Sequence, residues 1–510
     1  MKCMKYENMK YIIGIDVSST NIKIGLISDN GEVIAQTIIA HDIKKDGEFG
    51  LCFDLDEIWD KITDGIKEVL SKIENKKDVI AISSCAQRIA TVFLDKDLKA
   101  FYGGPNKDAR GLDAQWLIDD EYEDEEGERR LFNITAHNPP LVFSLARLLW
   151  YKEEEEEQFK KMGKVLMLDD WIQFKLSGEL VSDPAVASES QFLDIKEKKW
   201  SEEIIETFEL DHSWFPTLIE PGTITGKIIS DLANEFQLPT DTKIVKSGPD
   251  TQTGLVGMGC IEDKEVGIPL GTTAPIMMVI NEPKIDDTRT FWTSCNLIPN
   301  TWVMEANGGM TGMVFDWYKD NIIQDLEDNP YSIIESYLEK TDPGANSSFA
   351  FMGPELMNFK NQTDIKRSVL VFPSHSSISD IESNKATMLR SIIENIGFAV
   401  LENFTGLKER AGDGGVQKVY CAGGMANSKH ILQIISDILG IELYVPKLRE
   451  SGWLGFLINC MVALDEYDSY RSAVDSLVQL DVFSPNIENT KRYKRIYTQW
   501  KRYKEKLDEL

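Results

Sequence analysis

Cysteine, positive charge and long apolar runs are all scarce in this chain. Its 510 residues include 7 scattered cysteines and no C-x-x-C pair, which argues against a zinc site or a disulfide framework. Lysine and arginine number 55 against 84 acidic residues, and the net charge of −29 disfavours nucleic acid and anionic membranes as partners. No stretch reaches the roughly 18 apolar residues that would cross a bilayer.

What remains is the composition of an ordinary globular protein, 42% hydrophobic and 27% charged. The chain is too long for one hydrophobic core, so we expect two domains of about 200–250 residues each, with a cleft between them. Reduced cysteines and a short polar start predict a cytoplasmic protein. Its expected partner is a small molecule, and the sequence leaves the oligomeric state open, a homo-oligomer included.

The chain opens with a pattern typical of a β-hairpin meander. An apolar run at 11–17 is followed by alternating apolar residues at 22–26 and a third short run at 33–35. The turn 18–21 between the first two strands is rich in hydroxyls, with Asp16 just before it and Lys23 just after. It therefore presents amides and hydroxyls around one carboxylate.

Two later strands end in turns that suggest catalysis. The first leads into Gly248-Pro249-Asp250, where a carboxylate can deprotonate an alcohol. The second, residues 266–270, leads into Gly271-Thr272-Thr273, whose composition lets backbone N–H groups approach a phosphate. Together they point to phosphoryl transfer to a hydroxyl group.

A third strand, residues 418–421, enters the double glycine Gly423-Gly424 and is followed by apolar residues at helical spacing up to Gly440. The N-terminus of this predicted helix offers unpaired N–H groups and a positive dipole end, where a nucleotide could lie. The alternative is a βαβ corner in which glycine is needed only for tight packing.

In this order, the motifs resemble the FGGY family of carbohydrate kinases, which shares its fold with actin, hexokinase and the Hsp70 ATPase. The resemblance runs from about Tyr11 to about Ala463 and includes the Asn-Lys-Asp-Ala-Arg run at 106–110. It implies an α/β fold of two actin-like (ribonuclease H-like) domains, residues 10–252 and 253–510, flanking a central cleft. It also implies ATP-dependent phosphorylation of a sugar or polyol, with Mg²⁺.

The resemblance implies these roles: general base for Asp250, Mg²⁺ placement for Asp16, phosphate contacts for Ser19, Thr20, Lys23, Gly271 and Thr272, and adenosine contacts for Gly423, Gly424 and Ser428. The acceptor is expected to contact Gln87, Arg88, Asp108, Arg110 and Asp250. Such a set is nearly all that phosphoryl transfer requires of a protein, which mainly positions reactants and offsets charge.

The acceptor itself is less clearly indicated. Arg88 matches the run found in glycerol kinases, but Ile89 stands where those enzymes carry a glutamate. Asn106 replaces the family's usual tryptophan, as in kinases of the autoinducer-2 signal. We therefore rank ketoses such as xylulose and autoinducer-like acceptors equally, and glycerol below them. The alternative for Asp108 and Arg110 is a solvent-exposed ion pair.

Two other classes of function stay open. Ser18, Ile89, Asn106 and Trp453 depart from the family pattern, as they would in an inactive nucleotide-binding regulatory relative. An actin-like or Hsp70-like ATPase is disfavoured, because only helices are predicted after Glu450. The acidic segment 119–130 reads equally well as a lid over the cleft or as a solvated insertion.

Overall fold

The computed structural model describes residues 9–123, 130–323, 330–354, 357, 367–374, 383–412 and 415–507. Its strands are β1 (Tyr11–Val17), β2 (Asn21–Ser28), β3 (Val33–Ala40), β4 (Ile43–Lys45), β5 (Leu51–Phe53), β6 (Val79–Ala86), β7 (Thr91–Asp95), β8 (Ala100–Gly104), β9 (Met162–Met167), β10 (Val181–Ser182), β11 (Leu193–Asp194), β12 (Lys199–Trp200), β13 (Thr217–Leu218), β14 (Ile224–Lys227), β15 (Lys243–Lys246), β16 (Val266–Pro269), β17 (Pro275–Ile280), β18 (Trp292–Cys295), β19 (Trp302–Asn307), β20 (Phe349–Phe351), β21 (Val369–Val371), β22 (Val419–Ala422), β23 (Leu443–Pro446) and β24 (Leu480–Phe483).

The helices are α1 (Leu55–Leu70), α2 (Gln115–Tyr122), α3 (Arg130–Thr135), α4 (Ser144–Glu154), α5 (Glu156–Phe159), α6 (Leu168–Ser177), α7 (Pro184–Ala187), α8 (Glu202–Thr207), α9 (Ser230–Phe236), α10 (Asp250–Met258), α11 (Thr311–Ile322), α12 (Pro330–Glu339), α13 (Lys385–Ala411), α14 (Lys429–Leu439), α15 (Ser451–Ala463), α16 (Tyr470–Leu477) and α17 (Ile487–Leu507). None of the helices in the described part of the chain is both long and apolar enough to span a membrane.

Two large mixed sheets form the frame. The first has six strands in the order β14-β15-β6-β1-β2-β3, and the second has seven in the order β18-β19-β17-β16-β22-β23-β24. Each combines an antiparallel meander with parallel strands, β1 and β15 on β6 in the first and β16 and β23 on β22 in the second. The predicted meander at the start of the chain and the α/β fold class are confirmed.

Helices cover both faces of the first sheet. The apolar face of α1 packs on one side with Ile62 and Ile66. On the other side α15 inserts two large side chains where the sheet has glycines. A Cβ atom at Gly14 would lie 2.5 Å from Phe456, and one at Gly25 would lie 2.8 Å from Trp453. The bulky residues of α15 therefore fill space that these glycines leave open, which explains why a large side chain is tolerated at 453.

Helix α10, which carries Asp250 at its first position, is held tightly against α15. A Cβ atom at Gly257 would lie 1.8 Å from the Ser451 carbonyl oxygen, and one at Gly455 would lie 2.1 Å from the Thr253 carbonyl oxygen. Backbones this close require glycine on both helices. The predicted domain boundary at 252/253 falls inside α10, which links the last strand of the first sheet to the first strand of the second.

The C-terminal region corrects one expectation. Only helices were predicted after Glu450, but β24 follows α16 and pairs antiparallel with β23 at the edge of the second sheet. The helices predicted near residues 56–73, 386–404 and 491–510 correspond to α1, α13 and α17 with shifted ends, and residues 508–510 lie outside the described part. Of the acidic segment 119–130, α2 and Arg130 are described, and residues 124–129 lie outside the described part.

Candidate active site

Asp250 begins α10 directly after Pro249, and its carboxylate accepts the backbone N–H of Thr251 at 2.7 Å. Burial raises the pKa of Asp250 to about 7, the nearby charge of Asp16 adds to the rise, and Arg88 opposes it. A carboxylate with a pKa near neutrality accepts a proton more readily than an ordinary aspartate. Asp250 is therefore suited to act as a general base.

Asp16 lies near the end of β1, opposite Cys85 of β6, whose thiol is 3.8 Å from its Oδ1. Burial raises the pKa of Asp16, Lys23 opposes this, and the charge of Glu450 adds to it. Within the described residues, no three His, Cys, Asp or Glu side chains form a metal cluster. Mg²⁺ commonly takes one or two carboxylates together with phosphate oxygens and water, so Asp16 fits that mode of binding.

The turn after β1, residues 18–21, is held by hydrogen bonds from side chains outside it. The Ser18 carbonyl accepts hydrogen bonds from Nε2 of His41 at 2.8 Å and from Nε2 of Gln87 at 3.2 Å. Ser19 is half-buried and Thr20 is exposed at the tip. Both donors come from outside the turn, so its shape depends on the rest of the domain. His41 was missed in the sequence because it is separated from the turn by all of β2 and β3.

The second glycine turn, Gly271-Thr272, is exposed and abuts the N-terminus of α11. The Gly312 N–H donates to the Thr272 carbonyl at 3.0 Å, and the Thr311 hydroxyl donates to the Gly271 carbonyl at 3.3 Å. A Cβ atom at Gly312 would lie 2.3 Å from the Gly271 oxygen. Residues 308–312 were missed in the sequence, although Gly308-Gly309 before a helix was a usable signal.

The double glycine after β22 lies beside that turn, because β16 and β22 run parallel and end at the same edge. Gly423 has a φ of +96°, and its Cβ would lie 2.7 Å from the Leu270 carbonyl oxygen. At exposed Gly424, a Cβ would meet no described atom within 4 Å other than its chain neighbours. Gly423 is thus required for packing, whereas Gly424 leaves space for a ligand.

Ser428 has a structural role within this region. Its hydroxyl oxygen caps α14 by accepting the N–H of Ile431 at 3.1 Å, and it donates to Glu335, which also contacts His430. Ser428 is fully buried. Its side chain is therefore occupied within the protein, and this geometry does not favour the expected contact between that hydroxyl and adenosine.

Gln87 and Arg88 directly follow β6, and the charge of Arg88 acts on Asp250. Arg88 makes two hydrogen bonds to Glu305 of β19, at 2.5 and 2.9 Å, and its side chain is 12% exposed. Gln87 bonds to the Ser18 turn and also accepts the backbone N–H of Asn106 at 3.2 Å. Gln87 therefore links the turn at residues 18–21 to the loop that carries Asp108.

Asp108 and Arg110 form a buried cluster, which corrects the interpretation of an exposed ion pair. Asp108 has no exposed surface and bonds to Nε of Arg110 at 2.8 Å and to the Tyr102 hydroxyl. The guanidinium of Arg110 lies 4.7 Å from the ring of Tyr102 and 4.9 Å from that of Trp150. Both residues are engaged inside the domain, so their geometry favours shaping the loop over contacting an acceptor.

Comparison with known proteins identifies the family. Models of the N-terminal and C-terminal domains of the FGGY family of carbohydrate kinases match residues 11–257 and 266–464. The chain is 25% identical over 515 residues to the autoinducer-2 kinase of Salmonella paratyphi A, covering 98% of this chain and 94% of that protein. It is 27% identical over 460 residues to the putative sugar kinase YoaC of Bacillus subtilis, covering 89% and 90%.

Solved structures share the fold. The gluconate kinase of Lactobacillus acidophilus superimposes with a TM-score of 0.84 at 20% identity and covers 98% of both chains. The glycerol kinase of Plasmodium falciparum with ADP superimposes with a TM-score of 0.82 at 18% identity, covering 96% of this chain and 97% of that one. With both family domains matched in order, the chain belongs to the FGGY family of carbohydrate kinases and is a phosphotransferase.

Proposed function

We propose that this kinase transfers the γ-phosphoryl group of ATP to a hydroxyl of a sugar or polyol, with Asp250 as the general base. The observation that carries the proposal is the placement of Asp250, which begins α10 and lies close enough to Arg88 and Asp16 for their charges to affect its pKa. Burial and the charge of Asp16 raise its pKa to about 7, the range in which a general base works at neutral pH.

The nucleotide is proposed to bind at the edge of the second sheet. The turn Gly271-Thr272, the N-terminus of α11 and Gly424 lie together there, and backbone amides with a helix N-terminus favour phosphate. Ser19, Thr20 and Lys23 are proposed to contact the phosphates from the first sheet. A magnesium ion held at Asp16 would offset charge on the phosphates.

In the proposed reaction the acceptor hydroxyl gives its proton to Asp250 while its oxygen bonds to the γ-phosphorus. The bond from that phosphorus to the β,γ-bridging oxygen breaks, and ADP leaves with the electron pair. The role of the protein is to bring these atoms into line and to exclude water, which would otherwise accept the phosphoryl group. The rigid contact between α10 and α15 fixes the position of the base.

The acceptor we favour is a ketose such as xylulose or an autoinducer-2-like polyol. The name of the Salmonella relative supports the second, and that relative covers nearly the whole chain. Glycerol ranks lower, because Ile89 stands where glycerol kinases carry a glutamate. A relative that binds nucleotide without catalysis is the alternative, and the base in its raised-pKa environment disfavours it.

The test is ADP release from Mg²⁺-ATP over glycerol, xylulose, ribulose, xylitol, ribitol, erythritol, gluconate and the autoinducer-2 precursor. Wild type and Asp250→Asn are compared, with ATP binding measured separately by calorimetry. We expect acceptor-dependent turnover that falls about 10²- to 10⁴-fold in the variant while ATP still binds. ATP binding without turnover on any acceptor would support the non-catalytic alternative.

A further inference from the structure

The surroundings of Arg88 carry more negative than positive charge. Arg88 is paired with both oxygens of Glu305, and its Nη1 also lies 3.7 Å from Oε1 of Glu189. Both glutamates are about 1% exposed, and Glu189 is close enough to Asp250 for its charge to raise the pKa of that base. One guanidinium therefore faces three carboxylates, and it has no charge left to bind an anionic substrate.

Hydrogen-bond donors are also too few around Glu189. The Nδ1 atom of His137 lies 2.7 Å from the Thr135 carbonyl, so Nδ1 carries the proton. Burial lowers the pKa of His137, so its Nε2 is an acceptor. That nitrogen lies 3.1 Å from the Ser294 hydroxyl, which is also 3.0 Å from Oε1 of Glu189. A single hydroxyl proton thus serves two acceptors.

The second carboxylate oxygen of Glu189, Oε2, receives a hydrogen bond from none of these donors. Among the described residues, Oε2 of Glu189 has no hydrogen-bond partner, and Nε2 of His137, itself an acceptor, is 3.9 Å away. A buried carboxylate oxygen without a donor is costly, since native proteins satisfy nearly all such groups. The missing partner must supply a hydrogen to this carboxylate, whose other oxygen, Oε1, lies 3.7 Å from Nη1 of Arg88.

From these contacts we infer that Glu189 accepts a hydrogen bond from a second hydroxyl of the acceptor, and that the enzyme selects neutral polyhydroxylated acceptors over sugar acids. This rests on the proposed function, because the acceptor is taken to lie beside Asp250. A hydroxyl supplies the missing donor. A carboxylate would meet the charges of Glu189, Glu305 and Asp250 with Arg88 already neutralised, and like charges in contact oppose binding.

The test uses the whole 510-residue chain and acceptors that all have five carbons. It compares the neutral acceptors xylulose, xylitol and ribitol with the sugar acid xylonate. Wild type is expected to use the best neutral acceptor at least about 100-fold more efficiently than xylonate. In Glu189→Gln, kcat/KM for that neutral acceptor falls about 10- to 100-fold, mainly through KM, while the KM for ATP is unchanged. The ratio of xylonate to neutral turnover rises about tenfold or more.

Glu197→Gln serves as the matched control, because Glu197 is exposed and takes part in none of the contacts described for this cluster. The ratio of two acceptors is independent of the folded fraction, so partial misfolding of Glu189→Gln cannot imitate the result. Equal use of xylonate by wild type, or an unchanged ratio in Glu189→Gln while turnover persists, would overturn the inference and leave the proposed function standing. Absence of turnover with every acceptor would reject both.

Discussion

Replacing Asp250 by asparagine should lower activity about 10²- to 10⁴-fold and stabilise the protein. The folded protein holds the pKa of Asp250 at about 7, against an ordinary value of 3.8, chiefly because the group is buried. Ionising it therefore opposes folding. The stability of wild type is undiminished by this group below about pH 4 and decreases as the pH rises through 7.

The size of the effect on stability follows from the shift in the pKa of Asp250. At 1.36 kcal/mol per pH unit, a rise from 3.8 to about 7 corresponds to about 4 kcal/mol as an upper limit, since Asp250 is partly exposed and water screens it. Asparagine has nearly the same shape and never ionises. For domains of this size about 1 kcal/mol moves Tm by roughly 2–4 °C, so we expect an increase of several degrees at pH 8.

The assay is differential scanning calorimetry of wild type and Asp250→Asn at pH 5 and pH 8, beside ADP release at pH 8. The exposed turn residue Asp241, replaced by asparagine, is the control and should move neither value. The advantage of Asp250→Asn in Tm must be larger at pH 8 than at pH 5. A variant that is less stable than wild type at pH 8, or whose advantage does not grow with pH, would refute the assignment of a raised pKa.

Three other outcomes are expected. For wild type, kcat/KM should rise with pH up to about 7 and then level off, because only ionised Asp250 accepts a proton. At pH 6 it should be about tenfold below the plateau, and a flat profile from pH 5.5 to 8.5 would contradict this. Gly423→Ala should destabilise the protein by about 2 kcal/mol or more, since the φ of Gly423 is +96° and its Cβ would lie 2.7 Å from the Leu270 oxygen. Gly424→Ala should keep the Tm of wild type and raise the KM for ATP about tenfold. Equal effects of the two substitutions on Tm, read by calorimetry, would contradict this distinction. Trp453→Ala should lower the free energy of unfolding by about 3–5 kcal/mol in urea titrations, because the space above Gly25 is left empty; a loss below 1 kcal/mol would show that α15 is not held in this way.

The elements that the sequence predicted are those with local signals. Alternation of apolar residues revealed the meander β1–β3, and helical spacing followed by Gly440 revealed α14. The glycine turns at 271 and 423 were visible because a strand leading into glycine is a short-range pattern. Strand β24 was not foreseen, since four residues between two helices carry too little periodicity to be read.

The residues expected to contact the acceptor were harder to predict from the sequence, because their contacts join distant parts of the chain. Arg88 and its partner Glu305 are 217 positions apart, and no local pattern marks a buried glutamate as the partner of an arginine. Asp108 and Arg110 were expected to contact the acceptor, with an exposed ion pair as the alternative, but the aromatic rings of Tyr102 and Trp150 lie against the arginine. Burial of a charged pair depends on tertiary packing, which single-sequence reasoning does not reach.

The central claim is that Asp250 takes the proton of an acceptor hydroxyl as that hydroxyl receives phosphate. Mass spectrometry of the acceptor after incubation with Mg²⁺-ATP tests this most directly, with ADP measured in the same sample. Wild type should yield one phosphorylated acceptor per ADP, and Asp250→Asn should yield about 10²- to 10⁴-fold less under identical conditions. Equal amounts of phosphorylated acceptor from the two proteins would contradict the account.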